Sequence, residues 1–423
     1  MNNKIVTAAL CTILLPLSSI PAHALTLTQA WTKAKAHDPD YKKAQIGVSL
    51  SESEVDSSKS NLLPSVSATA SSNMYNNADN TNTYGVQLTQ SLWNSANWAD
   101  LDKSEASVVA AKLSLTKSES DLASNLVNAY LNLSNAQDNL NLAIQKEQEG
   151  KKLLSITEKR YRAGKVKSVD LEEMRANSLS EQASVFSNQA TVAEKKADLT
   201  SYIDTTPDSV NEIRVDNLSQ PAMMLDKEQA WLTLAKDNSP ALLEALQKIK
   251  VARLAVKQAH GGYYPTVSGK VGYSDSDSIG QGQFSAGVTL TVPLDTNGST
   301  QAQVAQADLN LMDAQQDARK VEIALKKQVQ TQFAQVLSYW QQVSMAKQLV
   351  SQREKVLQSQ QALYDAGMAS ASDLIDAHNN LYSAENELRA DLYDYWRQRV
   401  ALWQTAGRLN ESTIAVLAKA LTP

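Results

Sequence analysis

The chain is poor in cysteine, glycine and proline, and it has no long apolar run beyond its first residues. Its 423 residues include 1 Cys, 14 Gly and 10 Pro. Cys11 lies within the apolar N-terminal stretch, so no disulfide is expected in the rest of the chain. So few helix breakers in so long a chain indicate long helices rather than a loop-rich or disulfide-bonded fold.

Charge and histidine content argue against a nucleic-acid-binding protein and against a metalloprotein. The formal net charge is −5, and no basic stripe of the kind that binds nucleic acid is present. His37, His260 and His378 follow the N-terminal segment without a metal-binding motif, so neither a metal nor another cofactor is predicted. His378 lies two residues after Asp376, which leaves a metal site there as an alternative.

The N-terminus has the features of a secretory signal peptide. Lys4 precedes an apolar stretch from Ile5 to Leu17, and small residues stand at positions 22 and 24. We therefore expect residues 1–24 to be a signal peptide that is removed on export. No later window of about 18 consecutive apolar residues occurs, so no membrane-spanning helix is predicted.

The remaining sequence is written twice. "LLPSVS" at 62–67 returns as "YYPTVS" at 263–268, with the prolines 265 − 64 = 201 residues apart. "YRAGKVKSVDLEEM", which begins at Tyr161, returns as "YDAGMASASDLIDA" at Tyr364, and 364 − 161 = 203. Such constant spacing predicts a duplicated unit, with one copy at 25–225 and the other at 226–423.

Each unit predicts the same order of elements. The strands alternate apolar and polar residues over about ten positions, the length of a tilted transmembrane strand. The longest helices would extend about 100 Å, more than a globular domain can contain. The predicted pairs are helical stretches at 27–60 and 227–260, strands at about 65–75 with 83–93 and about 266–273 with 283–292, long helices at 96–162 and 299–365, and return helices at 168–202 and 370–407. Each of the first two stretches is expected to break where proline can begin a second helix, at Asp38-Pro39 and at Ser239-Pro240.

This paired order, with the two Y-x-A-G turns followed by "DLEE" and "DLID", resembles the TolC family of outer-membrane efflux and secretion channels. The resemblance covers essentially all of the chain after residue 24. It implies a mainly α-helical homotrimer with a twelve-stranded β-barrel in outer-membrane lipid and an α-helical barrel in the periplasm. It further implies an exit duct for efflux or type I secretion without enzymatic activity, which works with a periplasmic adaptor and an inner-membrane transporter.

The resemblance also places a gate at the two Y-x-A-G turns. Asp373 and Asp376 match the family's pore-constricting aspartates, and Tyr364 and Asp170 match positions that hold the tip closed. Where the family's closed form has an arginine five residues after the tyrosine, this chain has Ala369. The salt link of that arginine to the neighbouring hairpin cannot form here, so we expect the closed state to be held in a different way. The candidates for a replacement cation are Arg162, Lys165 and Lys167. The remaining predicted tip residues are Tyr161, Gly164, Glu173 and Gly367.

Other interpretations of these features remain open in the sequence. Asp373 and Asp376 lie where acidic residues also stabilise a helix N-terminus, with Ser370 as the cap. A catalytic carboxylate pair is a third interpretation, although no α/β pocket accompanies it. For the whole chain, the competing class is a structural coiled-coil protein of the cell envelope. A periplasmic adaptor is less favoured, because the sequence shows no compact β domain flanking a single hairpin.

Overall fold

The computed structural model describes residues 24–76, 80–213, 220–277 and 281–422. Residues 1–23 of the predicted signal peptide therefore lie outside the described residues. The helices are α1 Leu27–His37, α2 Pro39–Ser60, α3 Ser95–Arg162, α4 Ser168–Ile203, α5 Glu228–Asn238, α6 Pro240–His260, α7 Ser299–Asp365, α8 Ala371–Thr405 and α9 Glu411–Ala420. The strands are β1 Ser65–Asn73, β2 Thr81–Trp93, β3 Glu212–Ile213, β4 Thr266–Ser276, β5 Gln283–Thr291 and β6 Leu421–Thr422.

Local sequence signals mark the ends of the long helices. The Asn94 side chain accepts hydrogen bonds from the backbone N–H groups of Ala96 and Asn97, at 3.0 and 3.3 Å, and so caps α3. At 68 residues, α3 is about 100 Å long. Among the helices in the described part of the chain, none has the length and apolar character needed to cross a membrane.

The two units join in one antiparallel sheet of order β1-β2-β4-β5. Thr89 pairs with Ser65 on one side, and Gly85 pairs with Ser274 of the second unit on the other. Within the described residues β1 and β5 pair on one side only, so both outer edges are open. Side chains opposite each other in register share a face, and one face is apolar across all four strands. This apolar sheet face comprises Val66, Ala68, Val86, Leu88, Val271, Tyr273, Phe284, Ala286, Val288 and Leu290.

The helices pack side by side in one layer that continues from the sheet. The long helices α3 and α7 run its whole length. On the sheet side α2 packs on α3, and α6 packs between α3 and α7; on the far side α4 packs on α3, and α8 packs between α3 and α7. Within the described residues the layer therefore has two outer edges, formed by α2 and α4 on one side and by α7 on the other; α1 covers part of α4, and α5 covers part of α7.

Gly150 is the one glycine inside α3, and it makes room for a side chain of α4. A Cβ atom at Gly150 would lie 1.7 Å from Oε2 of Glu181. Glu181 is buried, and this burial raises the pKa of its carboxyl group. A glycine costs about 1 kcal/mol relative to alanine inside a helix. Here it provides the notch that receives the Glu181 carboxyl.

The main core lies midway along the layer, where three short elements that the sequence did not predict are found. Residues 203–226 and 408–423 showed no repeat, yet β3 forms in the first stretch, and α9 and β6 form in the second. β3 pairs with β6. The Tyr130 hydroxyl and the Gln137 side chain, both on α3, accept the backbone N–H groups of Asn211 and Val210 at 2.9 and 3.1 Å. Side chains of a helix thus satisfy backbone groups that lead into this short strand.

Candidate functional site at the hairpin tips

Two helical hairpins meet at the end of the layer farthest from the sheet. The backbone N–H of Lys165 donates to the carbonyl of Arg160 at 2.9 Å, and that of Met368 donates to Leu363 at 2.9 Å. Gly164 and Gly367 occupy the left-handed region, with φ of 68° and 74°, which glycine adopts without steric cost. Both Y-x-A-G sequences therefore form the same Schellman turn.

Asp373 and Asp170 cap the helices that follow these turns. An Asp373 carboxylate oxygen accepts the backbone N–H and the hydroxyl of Ser370, at 2.9 and 2.7 Å. These bonds from Ser370 lower the pKa of Asp373. Asp170 accepts the backbone N–H of Lys167 at 3.1 Å. The capping interpretation therefore holds for Asp373, and Asp170 caps α4 in the same way, whereas Asp376 lies exposed on the next turn of α8.

Tyr364 is the buried centre of the tip. It is 4% exposed and packs with Met174 and Leu374 in a small apolar cluster separate from the main core. Its hydroxyl lies 2.8 Å from Oγ1 of the buried Thr157 on α3, so the side chain joins the two hairpins. Ala369 packs against the same cluster. The position at which the family's closed form has an arginine thus contributes apolar packing here.

Arg160 is the cation found beside Tyr364, and none of the three candidates from the sequence takes this place. Its Nη2 donates to Oδ1 of Asp365 at 2.7 Å, and its Nη1 donates to the Tyr364 carbonyl at 3.2 Å. Within the described residues, the side-chain ammonium groups of Lys165 and Lys167 have no carboxylate within 4.0 Å, and Arg162 pairs only with Glu158 of its own helix. The sequence signal that was missed is an arginine in the last turn of α3 opposite an aspartate in the last turn of α7.

A cleft of about 760 Å³ separates the two turns. Gly164, Gly367 and Asp170 contribute to its lining, whereas Tyr161 is exposed and Glu173 is half-buried on α4. Three cationic and two anionic side chains line the cleft, which gives it a basic balance. They are Arg160, Lys165, Lys167, Asp170 and Asp365.

The described residues do not support a metal site at His378. No group of three or more His, Cys, Asp or Glu side chains among them is arranged to hold a metal ion. Nδ1 of His378 lies 3.8 Å from a Glu149 carboxylate oxygen. Burial of His378 lowers its pKa.

Comparison with known proteins connects this architecture to outer-membrane transport. The TolC outer membrane protein of Escherichia coli K12 is 25% identical over 430 residues, which cover 95% of this chain and 86% of that protein. The proteases secretion protein PrtF of Dickeya chrysanthemi is 22% identical, over 97% of this chain and 94% of that protein. The crystal structure of the Campylobacter jejuni CmeC outer membrane channel matches with a TM-score of 0.76 at 18% identity, over 100% of this chain and 98% of that one.

The family comparison matches both halves of the sequence. The outer membrane efflux protein family matches residues 31–204 and 231–408. These stretches include the strand pairs, the long helices and both hairpin tips. Proteins of this family are transport ducts, so the carboxylates at the tip are not catalytic groups. Because the match spans most of the chain, this protein belongs to the outer membrane efflux protein family.

Proposed function

We propose that three copies of this chain form a gated exit duct, which passes substrates from an inner-membrane pump and its periplasmic adaptor through the outer membrane. The related proteins are named for efflux and for protease secretion, so we propose the transport role without assigning a substrate. The two units, 25–225 and 226–423, would then each contribute one strand pair and one hairpin to the duct. The apolar sheet face is the observation that carries the proposal.

The apolar sheet face is exposed to an extent that only a nonpolar environment explains. Phe284 and Val288 are 74% and 71% exposed, and the opposite face is almost entirely serine, threonine, glycine and glutamine. Lipid outside and water inside match this division. The open edges of β1 and β5 also need partners. Four strands are too few to close a barrel, so we propose that the four strands of each of three copies pair edge to edge.

The open edges of the helix layer support the same assembly. Along α7, exposed apolar side chains recur at helical spacings, and both α2 and α4 carry exposed apolar residues at the other edge. Packing α7 of one copy against α2 and α4 of the next would cover both sets. The exposed residues on α7 are Leu309, Met312, Ile323, Met345, Leu349 and Val356; those on α2 and α4 are Ile46, Leu50, Leu179 and Phe186.

Neighbouring residues of β5 test the membrane assignment. Val288→Asp places a charge on the apolar sheet face, whereas Thr289→Asp places it on the polar face. We expect Val288→Asp to reduce the amount of trimer in outer membranes severalfold, because a carboxylate facing lipid is unfavourable. Thr289→Asp should leave it near the wild-type level. To measure the amount of trimer, outer membranes are washed with high salt and extracted in mild detergent. The extract is then analysed by size-exclusion chromatography with light scattering.

A structural coiled-coil protein of the envelope would behave differently in the same experiment. Both aspartate variants would then match the wild type, salt washing would release the protein, and the purified protein would give no conductance in a planar bilayer. Such a result would reject the duct and the orientation of the sheet together.

Asp373 and Asp376 provide the test of the proposed constriction. In a trimer they would form two rings of three carboxylates, which concentrate negative potential in a narrow passage. Replacing both with asparagine keeps an oxygen for the helix cap but removes the charge. We expect a severalfold loss of cation preference and weaker block by a trivalent cation in planar bilayers. Glu172→Gln, which removes an exposed carboxylate near the same tip, is the control. If the double variant and the control behave alike, the constriction lies elsewhere.

A further inference from the structure

We infer that Arg160 is the cation that holds the tip shut, and that it does so by fastening the two hairpins of one protomer to each other. This inference rests on the proposed gate. Ala369 carries no charge and packs in the apolar cluster around Tyr364.

The Arg160 guanidinium makes three contacts with the last turn of α7. Its two terminal nitrogens bind the Tyr364 carbonyl and the Asp365 carboxylate, and its central carbon lies 5.0 Å from the centroid of the Tyr364 ring. A planar fork can bind two acceptors and cover a ring at once, whereas a lysine ammonium is a point charge. The geometry therefore requires arginine rather than any cation.

Thr157, one turn before Arg160 on α3, makes a further contact with Tyr364. It is fully buried, and its Oγ1 lies 2.8 Å from the Tyr364 hydroxyl. Tyr364 is thus bound at its hydroxyl by Thr157, at its ring by Arg160 and at its carbonyl by Arg160. The Arg160 side chain is 25% exposed, so water only partly screens its interactions. These contacts, called the Arg160 clasp below, join α3 to α7.

The other cations near the turns do not contribute to the clasp. Arg162 is 79% exposed and points to Glu158. Lys165 and Lys167 are exposed in the cleft. Both sides of the Arg160 clasp belong to one chain, so this link needs no residue of a neighbouring protomer. Breaking it would require the α7–α8 hairpin to move away from α3 within each protomer.

The test compares Arg160→Gln with Arg162→Gln, which removes the same charge from the same helix. In planar bilayers containing purified trimer, Arg160→Gln should raise the population of the open state about tenfold, equivalent to about 1.4 kcal/mol. Arg162→Gln should conduct like the wild type. Arg160→Lys should be partly open, because it keeps the charge but loses the fork. Size-exclusion chromatography confirms that each variant remains trimeric.

A charge exchange separates the clasp from a general effect on stability. Arg160→Asp alone and Asp365→Arg alone should both open the tip, and the double exchange should close it again in part, because it restores the ion pair but not the contacts of Arg160 with the Tyr364 carbonyl and ring. Conductance of Arg160→Gln equal to that of the wild type would overturn the inference, as would single variants that open without recovery in the double exchange. A wild-type protein that forms no channel would instead reject the proposed function, so the two failures are distinct.

Discussion

Replacing Arg399 with methionine is expected to lower the free energy of unfolding by about 3 kcal/mol, because it removes a buried cation and leaves backbone carbonyls without donors. Arg399 on α8 is 5% exposed. Its guanidinium donates to the carbonyls of Pro221 and Ala222, on the segment between β3 and α5 at the end of the first unit. It also lies 5.1 and 5.2 Å from the ring centroids of Trp396 and Trp403. Urea unfolding followed by circular dichroism at 222 nm measures the loss.

Arg397→Met is the matched control for this change. Arg397 lies on the same helix and pairs with Asp394 of its own turn, so its loss should cost less than about 1 kcal/mol. Hydrogen exchange gives a second measurement, since amides near Ala222 should exchange faster in Arg399→Met alone. Equal unfolding free energies and equal exchange in the two variants would show that Arg399 does not anchor the segment.

Stability is also expected to fall as the pH rises from about 4.5 to about 7, through a carboxyl pair beside β3. The Tyr393 hydroxyl donates to an Asp138 carboxylate oxygen at 2.5 Å and lies 2.6 Å from Oγ of Ser134. Burial raises the pKa of Asp138. Burial and the neighbouring Asp138 raise the pKa of Glu212 to about 7. The positive charge of Arg389 on α8 acts to lower the pKa of both carboxyl groups. The Asn141 side chain on α3 donates a hydrogen bond to Glu212.

The Glu212 carboxyl group holds its proton more tightly in the folded chain than in the unfolded chain. Glu212 keeps its proton up to about pH 7 when folded but releases it near pH 4.5 when unfolded. Its contribution is therefore complete below pH 4.5 and is lost as the pH rises through 7. The full shift corresponds to about 3.4 kcal/mol, but solvent reaches this side chain, so a loss of about 1 to 2 kcal/mol is expected. Urea unfolding at intervals between pH 4.5 and 8 measures it.

Glu212→Gln should flatten this pH dependence, because an amide cannot titrate. Glu411→Gln, which changes an exposed acid at the start of α9, should retain it. If the decline between pH 4.5 and 7 is as steep in Glu212→Gln as in the wild type, Glu212 is not its source.

Local signals in the sequence predicted the regular elements well. The prediction for α7 agrees at both ends, and those for α3 and α4 differ by one residue at one end, because Asn94, Gly164 and Gly367 mark these boundaries. The predicted α8 began one residue early and ended two residues late. β3 and β6 were not predicted, because a strand of two residues has no measurable period and obtains its hydrogen bonds from distant partners.

The sequence alone determined the duplication, the long helices, the amphipathic strands and the matching glycine turns, because each depends on residues close together in the chain. The sequence also allowed two interpretations of Asp373, as a helix cap and as part of a carboxylate ring. Within a single chain, Asp373 caps α8. Only the tertiary structure selected Arg160 over Arg162, Lys165 and Lys167. Arg160 and Asp365 are 205 residues apart, and side-by-side packing of the two hairpins decides which cation reaches Tyr364.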